Sequence, residues 1–154
     1  MDFTLSPEQQ MIYDYGAKLA QSFDHKYWLE KARRNLFPEE LWQQTAQDGF
    51  AGLMVDEAYG GSGLGLFEMA LLIEGMSNHG LPLLMYVVGP TMAMGHINQH
   101  GTEEQKSRYL PDAAAGTSMF CFAITEADAG SNSMRIQSVA KAEGGRFKLN
   151  GSKV

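Results

Sequence analysis

Cysteine is almost absent. Cys121 is the only one in 154 residues, so no disulfide can close within the chain, and a cytoplasmic home is expected. Positive charge is also scarce. Twelve Lys and Arg stand against eighteen Asp and Glu, a formal net charge of −6. A nucleic-acid binder needs a basic face for phosphates, and so acidic a chain argues against one. An anionic ligand held by a few local groups is not excluded. Long apolar runs are missing too. The longest stretch without charge, Gly75 to Thr102, contains Ser77, Asn78, His79, His96, Asn98, Gln99 and His100. A spanning helix would bury those side chains in lipid, so no membrane span is expected. The opening Met1-Asp2-Phe3-Thr4-Leu5-Ser6-Pro7-Glu8 has neither a basic stretch nor an apolar core, and it does not read as a signal peptide.

Apolar residues are plentiful, at 44% against 19% charged, so the chain can bury a core and is no disordered tail. The length suits one domain, or one and part of a second.

About two-thirds of the chain reads as helix. Ser6-Pro7-Glu8-Gln9 combines a cap, a proline for the first helical position and a glutamine able to close a capping box. Met11, Ile12, Tyr15, Leu19 and Phe23 then share one helical face. Pro38-Glu39-Glu40 starts another helix, with Leu41, Trp42, Thr45 and Ala46 as its inner face and Gly49 as its stop. Residues 56–65 form a glycine-rich loop, and Leu66 to Met76 is helical again. Leu81-Pro82 breaks the period. Leu83 to about Asn98 reads as a mostly buried helix, started or kinked by Pro90. Thr102-Glu103-Glu104-Gln105 is a second capping box, opening a short helix that ends at Gly116.

After Gly116 the period changes. Met119 to Thr125 reads as a buried strand, Glu126 to Ser133 as a loop, and Ile136 to Glu143 as a strand. Gly144-Gly145 is a turn, Arg146 to Leu149 a strand, and Asn150-Gly151 a hairpin turn into a strand that has only begun at Val154. Two or three strands rarely stand alone. The expectation is therefore a mainly α chain: an all-α domain over 1–116 joined to an incomplete β domain over 117–154.

Several features can carry chemistry. Gly60-Gly61-Ser62-Gly63-Leu64-Gly65 has the glycines of a phosphate cradle but not the spacing of a dinucleotide loop, and no Lys-Ser or Lys-Thr follows. A plain connection between packed helices is the better reading. His96 and His100, spaced i, i+4, lack the glutamate and third ligand of a zinc motif, so no metal is expected. The methionines Met69, Met76, Met85, Met92 and Met94 suit core packing, or alternatively the wall of a pocket for a flexible apolar ligand. Cys121, amid Met119, Phe120 and Phe122, reads as a buried, inert thiol.

The strongest signal is Phe122-Ala123-Ile124-Thr125-Glu126-Ala127-Asp128-Ala129-Gly130-Ser131-Asn132. A strand ending in a hydroxyl and an acid is followed by small residues, which let a flat ligand lie close to the backbone. A binding loop and a hydroxyl-stabilised surface turn fit these residues equally well.

This segment resembles the signature of the acyl-CoA dehydrogenase family, a small residue, an aliphatic one, Thr-Glu, and a small residue before Gly-Ser, matched by Ala123-Ile124-Thr125-Glu126-Ala127-Asp128-Ala129-Gly130-Ser131. Phe3 to Gln9 resembles the family's opening. Glu57 to Gly65 resembles its early glycine loop, His100 to Lys106 with Tyr109-Leu110-Pro111 the helix before its β domain, and Asn150-Gly151-Ser152-Lys153 the lead into its tryptophan strand. The resemblance implies an N-terminal helical domain, a middle β domain and a C-terminal helix bundle. FAD lies between the last two, usually in a homotetramer. The implied reaction is α,β-dehydrogenation of an acyl-CoA thioester in fatty acid or lipid catabolism. Phe122, Ile124 and Thr125 match FAD-contacting positions, with Ser131 beside them at a position that meets the CoA portion of the substrate. Val88 and Met92, with Met94, match the acyl-pocket wall. An electron-transfer flavoprotein is the usual acceptor. Asn132, Arg135 and Asp128 depart from the family pattern. No residue in 1–154 matches the catalytic base, which the resemblance puts beyond Val154, so this polypeptide alone is expected to be inactive. The same fold serves acyl-CoA oxidases, nitroalkane oxidases and flavin-dependent monooxygenases. A non-catalytic partner subunit and a helical interaction module are the readings without catalysis.

Overall fold

The computed structural model describes residues 3–81 and 84–154. They divide into two compact units, 1–121 and 122–154.

The first unit is helical. Helix α1 spans Pro7–Gln21 and opens on the capping box, with Ser6 Oγ accepting from Gln9 N–H at 3.2 Å and Gln9 Oε1 accepting from Ser6 N–H at 3.0 Å. Ile12, Gly16, Leu19 and Ala20 form its buried stripe, while Met11, expected inside, is exposed. Helix α2, His25–Arg34, is capped by Asp24 and closed by Asn35 in the left-handed region at φ 50°. It buries no residue fully, but Tyr27 and Trp28 are half-buried and Trp28 packs against the larger core cluster. Helix α3, Glu39–Gln47, buries Leu41, Trp42 and Thr45, and Gly49 follows it at φ 85°.

Helix α4, Leu66–Ser77, packs along α1. The two backbones meet at glycines. A Cβ on Gly16 would strike the Leu72 carbonyl, and one on Gly75 would strike that of Tyr13. Their N-termini are joined as well. Glu68 accepts from Gly65 N–H and from Gln9 Nε2, each at 3.1 Å, so one carboxylate ties the start of α4 to the capping box of α1.

The uncharged segment is not a plain helix. Leu84–Tyr86, α5, leads into a wider π-helical stretch over Val87–Met94, and Gly95–His100 forms α6. Pro90 lies inside the wide stretch. Its ring would clash in a regular helix, and widening the turn relieves the clash without ending the helix. The Thr91 hydroxyl donates to the Tyr86 carbonyl at 3.0 Å. Pro82 and Leu83, where the sequence suggests a break and a restart, lie outside the described residues. Helix α7, Glu103–Ala114, opens on the Thr102/Gln105 capping box and gives way at Gly116, φ 71°. Trp42 Nε1 donates to the Gly116 carbonyl at 2.8 Å, fixing this exit to α3.

The core has two clusters. The larger joins Ile12, Leu19, Leu41, Trp42, Leu53, Met69, Leu72, Met76 and Tyr86, and the smaller joins Val55, Met94, Leu110, Ala113 and Ala114. Among the described residues, no helix is long and apolar enough to cross a membrane.

The second unit contains one antiparallel hairpin. Strand β1, Val139–Glu143, pairs with β2, Arg146–Asn150, in the register Glu143↔Arg146 to Val139↔Asn150. Gly144 and Gly145 make its turn at φ 57° and 78°, a conformation that favours glycine at both positions. Every strand residue is exposed. Three expectations need correction here. Met119 to Thr125 is not a buried strand: it is irregular and largely exposed, because β1 and β2 pair only with each other and offer it no ladder. Cys121 is accordingly exposed rather than buried. Asn150-Gly151 makes no hairpin, since Asn150 completes β2 and no strand follows among the described residues.

Candidate functional site

The signature segment folds around one carboxylate. Glu126 and Ala129 exchange backbone hydrogen bonds of 3.1 Å each, a tight turn across Ala127 and Asp128. Small residues allow that closure. The Glu126 side chain folds inward and is only 9% exposed. Its Oε2 accepts from Gln137 N–H at 2.7 Å, and its Oε1 accepts from Ser138 N–H at 3.0 Å and from Lys153 Nζ at 2.9 Å. The hydrogen bonds from Gln137 and Ser138, with the Lys153 ammonium, pull its pKa down to about 2.

Lys153 has a second acceptor. Its Nζ lies 3.0 Å from the Ile124 carbonyl. The next residue, Val154, donates its N–H to the Thr125 carbonyl at 3.0 Å. The backbone of 124–125 is therefore held on its carbonyl side by 153–154, and Lys153 is held in turn by Glu126. The Thr125 side chain is exposed, Ile124 is exposed and Phe122 is half-buried. The segment thus presents a hydroxyl beside apolar side chains on a fixed backbone. That donor set fits the polar edge and flat face of a heterocycle.

Ser131 is exposed on the same loop. Asn132, one of the departures from the family pattern, acts locally. Its Oδ1 accepts from Met134 N–H at 3.2 Å and caps the single turn Ser133–Arg135. The amide keeps the acceptor and gives up the charge of aspartate.

Val88 and Met92 lie in the helical unit, both on the π-helical stretch and half-buried there. Met94 is 2% exposed and packs in the smaller core cluster. The glycine loop is occupied by its own backbone. Gly61 N–H bonds the Asp56 carbonyl, Gly63 N–H bonds that of Val55, and a Cβ on Gly61 would strike Val55. His96 Nδ1 lies 2.9 Å from the Met92 carbonyl, and the His96 and His100 rings meet edge to face at 5.8 Å. Residue patterns alone did not reveal Lys153 as part of the site. The signal for it was the acid at 126, which needs a cation or several N–H groups once buried.

A family model described as "Acyl-CoA dehydrogenase, N-terminal domain" matches residues 6–117. Acyl-CoA dehydrogenase FadE12 of Mycobacterium tuberculosis is 40% identical over 152 residues, covering 99% of this chain and 39% of that protein. Butyryl-CoA dehydrogenase from Megasphaera elsdenii superposes with a TM-score of 0.87 at 27% identity, over all of this chain and 42% of the other. An acyl-CoA dehydrogenase complexed with FAD from Bacillus anthracis gives 0.82 at 28% identity, over 97% of this chain and 26% of the other. The chain thus spans about two-fifths of the length of FadE12.

Proposed function

The chain belongs to the acyl-CoA dehydrogenase family, and from that membership we propose that it is part of an FAD-dependent enzyme that introduces an α,β double bond into an acyl-CoA thioester. In this reading residues 1–116 are the N-terminal helical domain, and 117–154 begin the middle β domain. Flavin, when bound, supplies the hydride acceptor. The chain's own part is binding and orientation. Thr125 would donate its hydroxyl to the polar edge of the ring, Phe122 and Ile124 would supply apolar contact beside it, and Ser131 would hold the CoA moiety. Val88 and Met92 contribute apolar wall for the acyl group. No residue of 1–154 is assigned as the base that removes the α proton. A homotetramer, an electron-transfer flavoprotein as acceptor and a cytoplasmic location complete the proposal.

The observation that carries it is the fixed backbone at 124–125, which leaves the Thr125 hydroxyl exposed on the segment matching the family signature. A preorganised donor of this kind stabilises charge that arrives on a bound ring.

The test is to purify the complete product of the gene and titrate it with FAD. Anaerobic acyl-CoA is then added, and the visible flavin band is followed. Bleaching, with an enoyl-CoA product lighter by two hydrogens, is the expected result. Thr125→Val should weaken FAD binding by up to about tenfold, the upper end of the net value of one neutral hydrogen bond. A wild-type protein that takes up no FAD would overturn the proposal.

A further inference from the structure

We propose that Glu126 is a positioning residue for the flavin-facing segment 122–125, acting through Lys153. The inference rests on the flavin reading above and adds a residue to it that need not touch the cofactor.

Segment 122–125 belongs to no strand ladder, so nothing regular holds its backbone. The carbonyls of Ile124 and Thr125 are instead taken by Lys153 Nζ and Val154 N–H, at 3.0 Å each. A lysine side chain has about 2 kcal/mol of rotamer entropy to lose, and by itself would not stay on one carbonyl. Glu126 Oε1 lies 2.9 Å from the same ammonium and is nearly buried, so the lysine is held between a charge and a carbonyl. The remaining acceptor capacity of the carboxylate takes the N–H groups of Gln137 and Ser138. One carboxylate thereby ties together the loop it sits on, the approach to β1 and the residues after β2.

The arrangement needs a charge as well as a shape. A glutamine at 126 keeps one carbonyl acceptor, and its NH2 group then faces either the Gln137 N–H or the Ser138 N–H and the Lys153 ammonium, donor against donor. A methionine at 153 keeps the length of the side chain and loses its donors. Neither change removes an atom that meets the ring in the proposed mode, so an effect on flavin reports on backbone position.

The experiment compares wild-type, Glu126→Gln, Lys153→Met, Lys153→Arg and the double variant Glu126→Gln/Lys153→Met, each as the complete gene product. The readouts are FAD affinity by flavin fluorescence and the reduction potential of the bound flavin, with circular dichroism to score folding. Glu126→Gln should raise the FAD dissociation constant at least about tenfold, and Lys153→Met should do so by a similar factor. Lys153→Arg should recover most of the affinity. The double variant should be little worse than either single one, because the two residues act as one unit. If Glu126→Gln is folded and binds FAD as wild-type does, at an unchanged potential, the inference fails. Strict multiplication of the two single effects would also overturn it. Should Glu126→Gln not fold, Lys153→Met with Lys153→Arg still decides: unchanged affinity in the methionine variant overturns the inference, and loss rescued by arginine supports it. Failure of wild-type itself to bind FAD would refute the underlying flavin reading, a result separate from all of these.

Discussion

Two buried polar side chains carry much of the specificity of this structure. Thr45 is fully buried. Its hydroxyl donates to the Leu41 carbonyl at 2.8 Å and is hydrogen-bonded to the Tyr86 hydroxyl at 2.7 Å. Thr45→Val would leave the Tyr86 hydroxyl without this partner in the core. The expected loss is roughly 1–3 kcal/mol by urea denaturation, and adding Tyr86→Phe should return part of it, because two apolar groups then face each other. Glu126 is the second. Its folded pKa, about 2, lies below the ordinary 4.5, so the stabilisation from its clasp on Gln137 N–H, Ser138 N–H and Lys153 is complete above pH 4.5 and is lost as pH falls through about 2. An NMR titration of the Glu126 carboxyl should show its midpoint near 2, and a midpoint near 4.5 would mean that the clasp does not form in solution.

Among the elements, the pair α1 and α4 is the most tightly specified. Its glycines allow a backbone approach that any side chain would block. Gly75→Ala would press a methyl group into the Tyr13 carbonyl, with the Ala17 nitrogen 3.0 Å away. Two packed helices must then separate, at a cost of about 1–3 kcal/mol in chemical denaturation. The capping boxes at Ser6 and Thr102 were legible because they are local: four consecutive residues hold the whole interaction. Helix α2 does not figure in the sequence reading, although its ends carry local signals, Asp24 as the cap and Asn35 as the left-handed stop. The π-helical stretch was foreseen only as a start or kink at Pro90. Whether a proline bends or widens a helix depends on the packing around it, and here Tyr86, Ala93 and Met94 are buried on either side.

At the scale of the whole chain, the two units differ in what they bury. The helical unit has two apolar clusters, whereas β1 and β2 expose all their residues, including Phe147 and Leu149. A lone two-stranded hairpin is marginal in water. Hydrogen exchange on the 154-residue chain should therefore show protected amides in α1, α3 and α4, with the amides of β1 and β2 exchanging orders of magnitude faster. Equal protection in both units would mean that the hairpin gains cover that its exposure here does not reveal.

The amino-acid sequence by itself determined what rests on neighbours along the chain: the capping boxes, the glycine stops at 49 and 116, the Gly144-Gly145 turn, the mainly helical character and the family motif at 123–131. These are short-range events, each settled by a few adjacent side chains and their backbone. Only the tertiary structure decided where the polar and apolar groups find partners. It left Met119 to Thr125 without a ladder, exposed Cys121, drew Met94 into the core, and brought Lys153 to Glu126 across twenty-seven positions. Pairing and burial depend on contacts between residues far apart in the chain, and a strand pattern or an acid does not itself say which distant group will meet it.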